Sequence, residues 1–150
     1  MKHRMNNLLF MALVLVPNLV FGQLQGQWKG TLQEDGKEYR FEVILQKKGR
    51  QITGTTFIYL SDSLLVQMEA TGYWHDDRSM NLYDQTLLYP SIEEGSPDDD
   101  IPRRTYQLIY SRSFNDRIIE GWWQERDKGN FDPDRKRGLI YLQKVSASKA

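Results

Sequence analysis

The segment LLVQMEATGYWH, residues 64–75, places Val66, Met68, Ala70, Gly72 and Trp74 at one parity and Gln67, Glu69, Thr71 and Tyr73 at the other. Successive side chains of a strand point to opposite faces, so this segment has one apolar and one polar face. Such a strand packs one side on a core and shows the other to water. The same alternation, rich in Val, Ile, Thr, Tyr, Phe and Trp, recurs on both sides of it. Upstream it runs through residues 26–33 (GQWKGTLQ), 38–46 (EYRFEVILQ) and 51–60 (QITGTTFIYL). Downstream it runs through residues 79–89 (SMNLYDQTLLY), 103–113 (RRTYQLIYSRS), 117–125 (RIIEGWWQE) and 138–145 (GLIYLQKV).

Asp35-Gly36, Lys47-Lys48-Gly49, Ser61-Asp62-Ser63, Asp76-Asp77-Arg78 and Asn115-Asp116 supply turn chemistry between these segments. Two longer loops cover residues 90–102 and 126–137. Beyond residue 25 no stretch keeps a 3.6-residue apolar period for three turns. Short sequential hairpins predict an all-β fold, an eight-stranded antiparallel up-and-down meander whose closure into a barrel removes exposed edges.

At the N-terminus, Lys2 and Arg4 precede LLFMALVLVPNLVF, residues 8–21, an apolar run broken by Pro17 and Asn18. This predicts a secretory signal peptide over residues 1–22, since a membrane span needs about 20 apolar residues. The expected product is exported, to the periplasm or beyond the cell, with one barrel domain over residues 23–145, a tail over 146–150 and no membrane span. The chain has no cysteine, which excludes disulfides, thiolate metal sites and a cysteine nucleophile. Its 20 cations balance 20 carboxylates, and losing Lys2 and Arg4 leaves a slight acidic excess. No basic footprint for nucleic acid is present. The pattern carries no signal of oligomeric state.

The first strand opens Gly26-Gln27-Trp28 directly behind the leader, and residues 52–56 read ITGTT. In these features the chain resembles the lipocalin and avidin group of calycin barrels. The resemblance implies that Trp28 plugs the closed end of the barrel, beneath an arginine near the last strand, which Arg135 or Arg137 would supply. No second lipocalin motif stands between strands six and seven, and no avidin ligand pattern is present, so biotin is not implied.

His75 stands beside Asp76 and Asp77, a combination suited to metal binding or general-base work. Consecutive strand residues diverge, however, and the trio reads as a solvated turn. The loop EEGSPDDD, residues 93–100, reads as a charged hairpin tip. Asn130, Asp132 and Asp134 alternate as in a calcium loop, but Arg135 and Tyr141 stand where that loop needs glycine and glutamate. No catalytic residue, metal site or cofactor is assigned, and the chain does not read as an enzyme.

Of the 4 Trp, 8 Tyr and 6 Phe residues, only Phe10 and Phe21 fall in the leader. If Trp28, Phe41 and Trp74 face inwards, alternation also puts Tyr39, Thr56, Ile58, Met80, Leu82, Asp84, Tyr106, Leu108, Tyr110 and Trp123 inside, with Trp122 outside. A buried Asp84 needs a partner, for which Arg104 and Arg112 share the inward face of strand six. The expected ligand-binding set is Tyr39, Thr56, Asp84, Tyr106, Tyr110 and Trp123. Two functions follow. The leading one is a non-enzymatic, lipocalin-like carrier of a small, partly apolar or aromatic ligand. The alternative is a filled-core barrel acting as a protein-interaction module of the cell envelope.

Overall fold

The structure, a computed structural model, describes residues 24–90, 101–126 and 133–146. The expected signal peptide, the acidic loop at residues 93–100, and Asn130 and Asp132 lie outside them. Eight strands follow in chain order: β1 (Gly26–Glu34), β2 (Lys37–Lys48), β3 (Gln51–Ser61), β4 (Leu64–Trp74), β5 (Ser79–Tyr89), β6 (Arg104–Ser113), β7 (Asp116–Glu125) and β8 (Arg137–Lys144). Each pairs antiparallel with its sequence neighbours, and β8 returns to β1 to close the barrel. The expected meander barrel is the observed fold.

Local chemistry explains the turns. Asp35 and Gly36 both take positive φ, 50° and 74°, which gives the β1–β2 hairpin the twist its strands require. The β6–β7 turn lies one residue earlier than its composition predicts, at Phe114-Asn115, because Ser113 already pairs with Asp116. In β1, Gly30 faces inwards where β8 crowds in: a β-carbon there would lie 1.8 Å from the Tyr141 carbonyl oxygen. Only a residue without a side chain lets the seam close, which is why Trp28 is followed by a second glycine.

The inward set is the one alternation selects. Trp28, Phe41, Met80 and Trp123 are fully buried, with Leu32, Leu45, Ile52, Ile58, Leu82, Leu108, Ile119, Ile140 and Leu142 around them. Tyr39 and Trp74 are partly buried against this core. The barrel has two distinct ends. At the Trp28 end lie the β2–β3, β4–β5 and β6–β7 turns and the last residues of β8. At the Asp84 end lie the β1–β2 and β3–β4 turns and the two long connections.

Candidate functional site

The six expected site residues do not form one site. Thr56, Asp84, Tyr106 and Trp123 gather towards the Asp84 end, with Tyr39 beside them at the core's edge. Tyr110 sits four residues along β6 from Tyr106, about 13 Å at strand rise, and belongs to the Trp28 end.

The Asp84 cluster arises where β5 and β6 part. Their ladder ends at Tyr83 and Thr105, so the next backbone N–H on β6, that of Arg104, lacks a carbonyl opposite. Asp84 fills the gap: its Oδ2 accepts the Arg104 N–H at 2.9 Å and the Tyr106 hydroxyl at 3.2 Å. A bulge in the β4–β5 pairing, between Glu69 and Ala70, sets Asp84 opposite Ala70. Tyr106 stacks on Phe41 at 5.9 Å between ring centroids. The Arg104 guanidinium lies over the Trp123 ring, 4.8 Å from its centroid, while the Trp123 indole N–H donates to the Gln33 carbonyl at 2.9 Å.

Burial dominates the electrostatics of this cluster. It pushes the Asp84 carboxyl up to about 6, against the opposing pull of the Arg104 N–H and charge. Burial and the Asp84 charge together push the Tyr106 phenol well above its ordinary range. Asp84 Oδ1 and Arg104 Nε are buried without a hydrogen-bond partner. Of the two arginines expected as partners for Asp84, Arg104 serves it only through its backbone N–H, its guanidinium lying over Trp123 instead. Arg112 lies exposed at the other end of β6.

At the Trp28 end, Trp28 donates its indole N–H to the Leu24 carbonyl at 2.9 Å and meets Tyr110 edge-on, centroids 6.1 Å apart. Trp74 tilts against the other side of Tyr110. Trp28 is buried at this end of the core, but the cation over it corrects the expectation of Arg135 or Arg137. Lys144 covers the ring, its Nζ 5.2 Å from the centroid, and also donates to the Gln25 carbonyl. Strand β8 runs antiparallel to β1 and brings its last residue to Trp28, whereas Arg137 pairs with Gln124 at the far end. Counting by twos from Ile140 and Leu142 reaches Lys144, a signal the sequence contained.

The His75 trio lies in the turn after β4, and each side chain takes a separate partner. His75 Nε2 lies 3.2 Å from Asn81 Nδ2, Asp76 pairs with Arg50 at 3.3 Å, and Asp77 caps the turn by accepting the Ser79 N–H and hydroxyl. The outer surface holds one unforeseen feature. Glu42 is 5 % exposed on the solvent side of β2, covered by Arg40 at 2.7 Å and Lys29 at 3.8 Å. On β7 and β8, Trp122, Leu139 and Tyr141 line an open groove of about 330 Å³.

The chain matches no protein-family model and no curated protein.

Proposed function

We propose that the protein is an exported, non-enzymatic, calycin-like barrel that acts through its outer surface as an interaction module of the cell envelope. The observation carrying this reading is the state of the interior. Thr56, Asp84, Tyr106 and Trp123 are at most 1 % exposed, so the groups that would line a ligand cavity are packed on one another. An eight-stranded barrel is narrow enough for its own side chains to fill, and large aromatics do so here. Export is read from the leader, and the absence of an enzymatic role from the lack of a nucleophile–base pair in the sequence.

The carrier reading retains one observation in its favour, the unpartnered Asp84 Oδ1 and Arg104 Nε. A ligand with adjacent donor and acceptor groups would satisfy both. Native mass spectrometry of protein purified from an export-competent host separates the two readings. The surface-acting reading expects the apo mass. A stoichiometric small molecule, lost in Tyr106→Phe, overturns it in favour of a carrier.

A further inference from the structure

The β6–β7 hairpin breaks a local rule. Its register sets Arg112 directly opposite Arg117, and like charges facing each other across an antiparallel pair are unfavourable. Among the described residues neither arginine makes an ion pair. Lys144 shares an open groove of about 500 Å³ with them, together with Asn115, Asp116 and Gln143. Partial burial, with Arg117 nearby, pushes the Lys144 ammonium below its ordinary value. The β2–β3 turn brings Lys47, Lys48 and Arg50 to the same end, where Asp76 offsets Arg50. With Arg78, these cations outnumber the carboxylates at this end, Asp76, Asp77 and Asp116.

The tip of that hairpin breaks a second rule. Phe114 is 96 % exposed, the most exposed large apolar side chain among the described residues, and holds φ at 53°. A bulky residue at positive φ is strained, and such strain is found where function requires a side chain to project. A free phosphate would account for the arginines and leave Phe114 unexplained. An aromatic projecting from a rim of cations matches anionic headgroups above an apolar boundary.

We propose that the Trp28 end docks on an anionic lipid bilayer, with Arg112, Arg117 and Lys144 against headgroup phosphates and Phe114 seated at the acyl boundary. This rests on the surface-acting reading above and names its partner. Mass spectrometry of the interior tests that reading, while vesicle binding tests the docking face, so the two fail independently.

The experiment is co-sedimentation of the host-processed protein with vesicles of phosphatidylcholine alone and of phosphatidylcholine mixed with phosphatidylglycerol. The expected result is pelleting with the anionic vesicles only, lost in high salt. The double variant R112Q/R117Q weakens binding about 30-fold, at about a tenfold loss for slightly more than one surface charge. Phe114→Asn, which suits positive φ and so keeps the turn, weakens it about tenfold. Denaturation midpoints at or above that of the wild type, as relief of the facing charges and of the strained turn would give, establish that both variants are folded. Equal pelleting with both vesicle types, or unchanged pelleting of the double variant, overturns the proposal. So does displacement by glycerol phosphate together with wild-type binding by Phe114→Asn, which would identify a site for a soluble phosphate.

Discussion

The carboxylate of Asp84 accepts the backbone N–H of Arg104 at 2.9 Å, while the guanidinium of the same residue turns away to lie over Trp123. The two charges share a dry region without forming an ion pair, and each keeps one polar atom unpartnered. Asp84 therefore continues a backbone ladder where β5 and β6 separate, at the cost of burying a carboxyl group.

That cost should appear as a pH dependence. Burial raises the folded carboxyl to about 6 from an ordinary 3.8, so between these values the folded protein binds the proton more tightly than the unfolded chain. Stability from Asp84 is complete below about 3.8 and is lost as pH rises through about 6, a change of about 3 kcal/mol for two units. In urea titrations from pH 4 to pH 8, Asp84→Asn should gain on the wild type by about that amount as pH rises. Parallel curves would mean that Asp84 is solvated in solution.

The Tyr106 hydroxyl is one of two donors to Asp84 Oδ2. Tyr106→Phe keeps the stack on Phe41 and removes only that donor, so the variant should lose about 1–3 kcal/mol at neutral pH. It should lose less below pH 4, where a protonated Asp84 needs fewer donors. Chemical denaturation at both pH values reads the difference, and an equal loss at both would detach the hydroxyl from the carboxylate.

Trp122 and Trp123 are sequence neighbours with opposite environments, 55 % and 0 % exposed. Trp123→Ala should cost about 3–5 kcal/mol, as aromatic truncations in cores do. Trp122→Ala, which gives up a contact with Gln107 at 2.5 Å on the surface, should cost about 1 kcal/mol or less. Reversed magnitudes would mean that β7 is slipped by one residue.

Gly30 and Gly36 offer a contrast in backbone terms. At Gly30 a β-carbon meets the β8 backbone, so Gly30→Ala should open the β1–β8 seam and prevent a cooperative unfolding transition. Gly36 has open space and φ of 74°, so Gly36→Ala should cost only about 1–2 kcal/mol for a left-handed alanine. Thermal melts of the pair compare a steric demand with a conformational one.

Alternation made all eight strands legible in the sequence, along with the inward parity of Phe41, Tyr106 and Trp123, because burial on one face leaves a period of two in the residues themselves. Parity gives the face of a side chain but not its depth in the barrel. Tyr106 and Tyr110 therefore read as one site while lying at opposite ends. The bulge beside Asp84 is a register shift between neighbouring strands that alternation does not show. Parity turns Lys144 inward, but its arrival over Trp28 depends on the pairing of the first strand with the last, which no local window contains. Glu42 was missed for a similar reason: its cover comes from Lys29 on the neighbouring strand as well as from Arg40. The ligand-binding set followed from parity alone, and the packing at the Asp84 end gives those residues a second, structural use.

The seam between β1 and β8 joins the first strand made to the last. Until β8 emerges from the ribosome, β1 presents an unpaired edge and the ring stays open. Closure is therefore a late event requiring contact across nearly the whole chain, the kind of topology that folds slowly. A chain of this design therefore commits to its final form only once its last strand is available to its first.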